Sequence, residues 1–224
     1  MKFLTIASSV ALAALSCVAA APIDMSVFKR ADTCPVDVIS CSSGSDGAST
    51  CCLPKMGQVL LTLQWYNGLG PSDEFTIHGL WPNTCSGGQG PSTGCDPNRV
   101  YTDIETRLKN YPGAPSSLIS DLNTYWASYK NDNNAFWAHE WNKHGTCLST
   151  LEPGCFDNFV ANHDLFSYFT KVLELRKQYN LYKVLADKGI TPGSNPSVKD
   201  MQAAFREAFG FPAQINCKSG ALSE

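Results

Sequence analysis

The chain has 224 residues, ten of them cysteine, and a formal net charge of −3 at neutral pH. That length suits one domain with a sizeable core, and no internal repeat or low-complexity linker divides it. The slight acidic balance excludes a surface that attracts polyanions as a whole. A nucleic-acid ligand would therefore need a local site, or an acid pH at which the histidines are charged.

The N-terminus has the pattern of a secretory signal over residues 1–21. Lys2 is followed by an apolar run and a cluster of small residues. This run is too short to span a membrane, so a secreted protein without a membrane anchor is expected. Delivery to the vacuole through the secretory pathway is the alternative. Residues 22–30 end in Lys29 and Arg30 and are interpreted as a propeptide; the alternative is a chance basic pair. Residues 31–224 then form one domain.

The cysteines are expected to form a disulfide framework. Nine remain once Cys17 leaves with the signal, and a secreted protein is exposed to an oxidising compartment. A zinc site is disfavoured because the chain lacks any C-x-x-C pair. Nine is an odd number, so one thiol lacks a partner within this chain.

The first two predicted elements are strands. Residues 59–66 are almost continuously apolar, as expected for a central strand buried on both faces. Gln64 is the polar exception, and it either hydrogen-bonds within the core or faces a ligand. Residues 75–82 alternate, so that His78 points away from its apolar neighbours. A lone strand histidine is more often structural, but Gly79 beside it permits close backbone approach where the strand ends.

Several helices are predicted beyond the strands. Two cover residues 99–110 and 116–130, the second with a stripe of core-facing leucines and aromatics. Another begins at Asp164, which is interpreted as its cap, and this leaves His163 on the surface. Ser197 opens the last helix with a capping-box pattern. These elements are expected to supply packing rather than chemistry.

The densest chemistry lies in residues 136–147, FWAHEWNKHGTC. No proline or β-branched run interrupts a helix there before the glycine. At about 100° per residue, and with His139 at 0°, Lys143 lies near 40°, Glu140 near 100° and His144 near 140°. All four side chains are thus predicted on one helix face. Gathering that much titratable chemistry is costly unless the protein uses it.

A metal site is disfavoured as the use of this cluster. His139 and Glu140 resemble the start of an H-E-x-x-H pattern, but Lys143 stands where the second histidine is needed. On a helix, His139 and His144 diverge by about 140°, which makes joint ligation awkward. An adjacent ammonium group also opposes a cation. No metal and no cofactor are predicted.

The cluster does suit metal-free cleavage of RNA. That reaction needs a base for the 2′-hydroxyl proton, an acid for the departing 5′-oxygen, and positive charge around the phosphorus. Two histidines on separate elements can supply the acid and the base. Nearby aromatic side chains can stack on bases.

Two segments carry a family resemblance. Residues 75–82, FTIHGLWP, and residues 139–147, HEWNKHGTC, resemble the two active-site segments of the ribonuclease T2 family, and the cysteine pattern is similar to that of its fungal branch. The resemblance extends from about residue 33 to the end of the chain. It implies an α+β fold in which helices pack on an antiparallel sheet and disulfides staple the chain.

The resemblance also implies a role for each residue of the cluster. His144 would be the general base and His78 the general acid. Glu140 and Lys143 would stabilise the transition state, and His139 would bind phosphate. The products would be a 2′,3′-cyclic phosphate and then a 3′-phosphate.

The base-binding residues implied by the resemblance include one departure from the fungal pattern. Trp81 would stack on the base 5′ of the cut, while Gln64 and Phe136 would hold the second base. Fungal members commonly have aspartate where this chain has Asn83, and often an aromatic where it has Gln89. Because an amide both donates and accepts hydrogen bonds, a weakened adenine preference is expected.

The cysteines follow the family as well, apart from the last. The implied pairs are Cys34–Cys52, Cys41–Cys85, Cys51–Cys155 and Cys95–Cys147. Cys217 would pair with a cysteine on a further strand beyond residue 224, so it is expected to be unpaired in this chain. Lack of that strand predicts an exposed sheet edge and reduced stability.

The leading hypothesis is therefore a secreted, monomeric endoribonuclease that acts on single-stranded RNA without a metal. It should work best below neutral pH, where one histidine is protonated while the other is not. The rival is a catalytically weak or inactive secreted effector that keeps the fold and acts by binding. Loss of RNA cleavage in both histidine variants distinguishes the enzyme from the binder.

Overall fold

A computed structural model describes residues 33–35, 37–218 and 221–222, so the predicted signal and propeptide lie outside the described residues. The fold is α+β, as the resemblance implies. In chain order the strands and helices are β1 (Gly57–Gln64), β2 (Thr76–Thr84), α1 (Ile104–Lys109), α2 (Leu118–Tyr125), α3 (Asn133–Lys143), α4 (His163–Gln178), α5 (Leu181–Ala186), α6 (Val198–Phe209), β3 (Cys217–Lys218) and β4 (Ala221–Leu222). Short 3-10 turns lie at Pro97–Arg99, Gly145–Cys147, Ser149–Leu151 and Pro153–Cys155.

Strands β1 and β2 form an antiparallel pair with a register shift between Thr62 and Leu63. The prediction that β1 is buried on both faces is wrong: Val59 is 39% exposed and Leu60 is 41% exposed. Among the described strands β1 pairs with β2 alone, so its outer part lacks a second neighbour to cover it. Strand β2 also continues to Thr84, past the end predicted at Gly79.

Helices α1 and α2 are shorter than predicted. Helix α1 begins at Ile104, after the 3-10 turn at Pro97–Arg99. The chain leaves α2 at Trp126, whose indole N–H donates to the carbonyl oxygen of His78 at 2.9 Å. Trp126 is fully buried. This bond places the end of α2 against β2.

Helix α3 crosses the core with its tryptophans inward. The Asp132 carboxylate caps it by accepting from the backbone N–H of Ala135. Trp137 and Trp141 are both fully buried and pack against aromatic rings of α4. Burying side chains of this kind contributes about 1.5–3 kcal/mol each. The packing therefore fixes the rotation of α3, and with it the direction of the residues between the tryptophans.

The start of α4 differs from the prediction. His163 is not on the surface; it is 2% exposed and its ring stacks on that of Phe156, with 4.5 Å between centroids. Asp164 does not cap the helix. It lies within the first turn after Asn162, is itself buried, and pairs with a buried arginine. Residues 156–159 cover this end of the helix. Sequence periodicity alone cannot predict such a contact, because it describes only the faces of one element.

The cap of α6 is confirmed. The Ser197 hydroxyl accepts from the backbone N–H of Asp200 at 3.1 Å, and the helix ends at Gly210 in the left-handed conformation. Strands β3 and β4 then form a short antiparallel pair. Within the described part of the chain, no helix combines the length and the apolarity that crossing a bilayer requires.

Within the described residues, four disulfides staple the fold: Cys34–Cys52, Cys41–Cys85, Cys51–Cys155 and Cys95–Cys147. They are the pairs that the family resemblance implies. Each bridge is worth about 2–4 kcal/mol in the usual range. Cys217 is exposed and is a free thiol among the described residues.

Candidate active site

Strand β2 and helix α3 bring the five predicted catalytic residues together. His78, on β2, has its Nε2 atom 3.9 Å from Oε1 of Glu140 on α3. The Nε2 atom of His139 lies 4.0 Å from the same carboxylate oxygen. Both histidines therefore border one buried carboxylate, since Glu140 is fully buried.

The indole of Trp81 links the two halves of the site. Its Nε1–H donates to Oε2 of Glu140 at 2.8 Å. Its ring stacks on that of His144 at 5.1 Å and 21°, and it meets the ring of His78 edge-on at 4.9 Å and 78°. The two imidazoles thus contact different parts of one indole, which holds them at a fixed relative position.

Gly79 allows this close approach of β2 and α3. A Cβ atom at this position would lie 1.9 Å from Oε2 of Glu140 and 2.5 Å from Nε1 of Trp81. Any side chain would therefore collide with the hydrogen bond between those two residues. Gly79 was predicted to permit close approach, and the group that approaches it is the buried carboxylate of Glu140.

His144 lies just beyond the last residue of α3 and is 7% exposed. Burial is the largest cause that lowers the pKa of His144 to about 3, and the charge of Lys143 is the next. The imidazole therefore stays neutral over most of the acid range. A neutral imidazole can accept a proton, which is the requirement for a general base.

His139 differs from His144 in exposure. Its side chain is 57% exposed, and its ring lies 6.2 Å from that of His144. Partial burial, followed by the charge of Lys143, lowers the pKa of His139 below its usual value. A bound anion would oppose this shift by favouring the charged imidazolium.

The metal geometry differs from the sequence prediction. One ligand atom each from His139, Glu140 and His144 lies within 4.8 Å of the other two. The prediction that the divergence of the two histidines makes joint ligation awkward is not supported by this distance, although the backbone N–H of His144 continues the helical bonding to Glu140. Two imidazoles and a carboxylate are a donor set that fits a divalent metal, although the Lys143 ammonium opposes one.

Comparison with known proteins identifies the family. The sequence profile of the Ribonuclease T2 family matches residues 48–224. The chain belongs to the ribonuclease T2 family. Ribonuclease Rh of Rhizopus niveus is 46% identical over 194 residues, which cover 87% of this chain and 80% of that protein.

Solved structures agree with this assignment. The crystal structure of Actibind, a T2 ribonuclease, superposes with a TM-score of 0.77 at 36% identity, covering 86% of this chain and 82% of that one. RNase NT in complex with 5′-AMP superposes with a TM-score of 0.52 at 25% identity, covering 74% of this chain and 81% of that one. The α+β architecture is therefore shared with ribonucleases of the T2 family.

The predicted base-binding residues of this ribonuclease T2 family member lie on β1, β2 and α3. Phe136 packs 5.7 Å from the ring of His78. Gln64 is 2% exposed and donates to the carbonyl oxygen of Ile77 at 3.3 Å. Asn83 is 7% exposed and forms an isolated bridge with Gln89. The amide N–H of Gln64 therefore has a hydrogen-bond partner within the sheet, which fits the first interpretation of Gln64, a hydrogen bond within the core.

Sequence reasoning missed the residues that hold β2 in place. The Tyr168 hydroxyl donates to the carbonyl oxygen of Leu80 at 3.2 Å and lies 3.4 Å from its backbone N–H. Burial, followed by the Glu140 charge, raises the pKa of Tyr168 well above its usual value, so the hydroxyl keeps its proton. Trp126 bonds to His78 and accepts at its own carbonyl from the indole of Trp137. No spacing in the sequence points to these bonds, because each joins distant segments.

Replacing Trp81 with phenylalanine tests the indole hydrogen bond. The ring can still stack, but Oε2 of Glu140 loses its N–H donor. We expect kcat for RNA cleavage to fall about tenfold, which corresponds to one hydrogen bond to a charged group. Steady-state kinetics on a dinucleoside phosphate measures this, and Tyr179→Phe, at a half-buried position that packs on Phe209 of α6, serves as the control. Unchanged kcat in the Trp81 variant would contradict the expectation.

Proposed function

We propose that the chain is a secreted, metal-independent endoribonuclease that cleaves single-stranded RNA by transphosphorylation. Family membership supports RNA cleavage, since the matched relatives carry the name ribonuclease. The observation that carries the chemistry is the placement of His78 and His144 against one indole, with a buried carboxylate beside them.

The first step uses His144 as base and His78 as acid. His144 takes the proton of the ribose 2′-hydroxyl, and the 2′-oxygen attacks phosphorus. The bond from phosphorus to the 5′-oxygen breaks as His78 gives its proton to that oxygen. The products are a 2′,3′-cyclic phosphate and a free 5′-hydroxyl. The lowered pKa of His144 supports its role, because the base has to be neutral before attack.

The second step reverses the roles. His78, now neutral, takes a proton from water, which attacks the cyclic phosphate. The bond to the 2′-oxygen breaks, and His144 returns its proton to that oxygen. This gives a 3′-phosphate and restores both histidines to their starting states.

The remaining cluster residues act on charge. Lys143 and His139 provide positive charge for the phosphate oxygens, His139 from its exposed position. Glu140 places its carboxylate oxygen 3.9 Å from the Nε2 atom of His78, on the side of the imidazole that faces α3. Together these residues balance the negative charge of the phosphorane-like transition state without a metal.

Bases on each side of the cut are assigned to aromatic and amide side chains. Trp81 stacks on the base 5′ of the cut with Asn83 beside it, and Phe136 with Gln64 holds the second base. The exposed side chain of His139 supports access by a single strand, because duplex bases cannot reach such stacking positions. RNase NT, a structural relative, is described in complex with 5′-AMP, which supports a nucleotide ligand for this fold.

The proposed setting is extracellular. The signal over residues 1–21, the propeptide over 22–30 and the domain over 31–224 together predict secretion, and four disulfides support an oxidising compartment. The partner is the RNA substrate, and the protein acts as a monomer without a membrane anchor.

Product analysis in EDTA tests the proposal. A single-stranded oligonucleotide is expected to give a 2′,3′-cyclic phosphate first and a 3′-phosphate later. Phosphorus NMR detects both products. A matched oligonucleotide with 2′-deoxyribose at the cleaved position should remain intact, because it lacks the attacking hydroxyl. Cleavage of the deoxy substrate, or loss of activity in EDTA, would refute the mechanism. Binding of RNA without cleavage would favour the effector alternative.

Asn83→Asp is expected to increase the preference for adenine 5′ of the cut by about fivefold. The reason is that a carboxylate accepts more strongly from the adenine amine than a neutral amide does. Ratios of kcat/KM for four dinucleoside phosphates that differ at this base measure the change. Asn158→Asp, at an exposed site away from the cluster, adds the same charge as a control. A strong adenine bias already present in the wild type would contradict the weakened preference proposed for Asn83.

A further inference from the structure

Arg99 is a buried cation that the proposed chemistry does not use. It is 6% exposed and lies at the end of the 3-10 turn that follows Cys95. Its Nη2 donates to the carbonyl oxygen of Thr146 at 3.0 Å, and its Nη1 donates to that of Leu151 at 3.1 Å. Its Nε donates to Asp96 at 2.8 Å. A residue with this many directed bonds fixes the relative position of the segments that it joins.

A second carboxylate neutralises the guanidinium. Asp164, at the start of α4, lies 3.3 Å from Nη1 of Arg99 and is 1% exposed. The arginine therefore spans the loop that contains Asp96, the turns after α3, and the first turn of α4. A buried charge of this kind persists only with such complete pairing.

The segment that Arg99 holds begins at His144. His144 is the C-cap of α3: its backbone N–H still donates to the carbonyl oxygen of Glu140 at 3.1 Å, but the helix does not continue beyond it. The next residues form the turn Gly145–Cys147, whose middle carbonyl bonds to Arg99. The Thr146 hydroxyl in the same turn accepts from the backbone N–H of Cys95 at 3.1 Å.

The backbone of Arg99 completes the attachment. Its carbonyl oxygen accepts from the indole N–H of Trp141 at 2.7 Å. The ring of Trp141 lies directly under Gly145, where an added Cβ would be 2.4 Å from it. Trp141 precedes His144 by one helical turn, so Arg99 is bonded to the chain on both sides of the histidine.

We propose that Arg99 is the positioning residue for His144, setting where the imidazole of the general base stands relative to the substrate hydroxyl. This inference rests on the proposed function, since it assigns His144 the base role. Arg99 does not contact the reacting atoms and acts through the backbone of residues 141–146. Lysine cannot replace it, because one ammonium cannot reach two carbonyl oxygens and two carboxylates in their different directions.

The test compares Arg99→Lys with a variant of matched stability. Leu185→Ala removes a buried side chain of α5, away from Arg99 and the histidines, and lowers the melting temperature without touching the turn. Both variants are assayed on a dinucleoside phosphate well below their melting temperatures. For Arg99→Lys we expect kcat to fall on the order of 10²-fold with KM within twofold, as for a slightly displaced catalytic group. Leu185→Ala should keep the wild-type kcat.

Imidazole resonances give a second readout. In Arg99→Lys the His144 ring signals should shift, while those of His78 stay in place, because His78 is held by β2. A wild-type kcat in Arg99→Lys, or an equal loss in Leu185→Ala, would overturn the inference. If Arg99→Lys does not accumulate, Trp141→Phe decides: lowered kcat at unchanged KM supports the role, and wild-type kcat refutes it. An inactive wild type would instead refute the proposed function.

Discussion

His144→Ala is expected to lower kcat/KM for RNA cleavage by about 10²- to 10⁴-fold, the usual contribution of a positioned acid or base. His78→Ala should have an effect of the same order, because it removes the proton for the leaving oxygen. The double variant should lose little more than either single one, since the two histidines act in one concerted step. Initial rates on a dinucleoside phosphate measure all three.

The pH dependence distinguishes the two histidines. Because the pKa of His144 is lowered to about 3, the acid limb of kcat/KM in the wild type should fall near pH 3, where the base becomes protonated. The alkaline limb should disappear in His78→Ala, which has no acid to lose. An acid limb of the wild type near neutral pH, or full activity of either single variant, would be incompatible with these assignments.

The same shift has a consequence for stability. An unperturbed histidine has a pKa of about 6.5, so the unfolded chain binds a proton more readily than folded His144 does. The free energy of unfolding should therefore decrease as the pH falls from about 6.5 toward 3, and this decrease should be smaller in His144→Ala. Urea unfolding of both proteins across this range measures the difference. Equal pH slopes would mean that His144 is not held neutral in the folded state.

Gly79→Ala is expected to reduce kcat on the order of 10²-fold, the cost of displacing a catalytic group. A Cβ at residue 79 would lie 1.9 Å from Oε2 of Glu140. Strand β2 cannot move away easily, because Tyr168 bonds to Leu80 and Trp126 bonds to His78. Glu140 has to yield instead, and its bond to Trp81 breaks.

Gly154→Ala is the matched control, since an added Cβ there has no atom within 4 Å. Its kcat and melting temperature should equal those of the wild type. A crystal structure of Gly79→Ala should show Glu140 displaced from Trp81. Wild-type kcat in that variant, with Glu140 in its original place, would show that the close packing of β2 on α3 is not needed.

The sequence was sufficient to predict the α+β class, the strand that carries His78, and the helix that carries His139 and Glu140. These follow from local periodicity and from two motifs specific enough to identify a family. The cap of α6 was predictable for the same reason, because Ser197 and Asp200 are three residues apart in the chain.

The errors concern long-range neighbours. Periodicity could not tell that β1 has one strand beside it, that residues 156–159 cover His163, or that Arg99 lies among segments from three parts of the chain. The proximity of the ligand atoms of His139, Glu140 and His144 was likewise not apparent, because helical angles place backbone positions and not the ends of flexible side chains. Where tertiary contacts decide burial, local pattern is a weak guide.

The Cys95–Cys147 disulfide affects when the protein becomes an enzyme. It joins the loop that carries Arg99 to the turn just after His144, and His78 lies before both of its cysteines in the chain. A nascent or reduced polypeptide therefore lacks the covalent link between the Arg99 loop and the turn that follows His144. We expect RNA-cleaving activity to arise late in oxidative folding, once this link has formed.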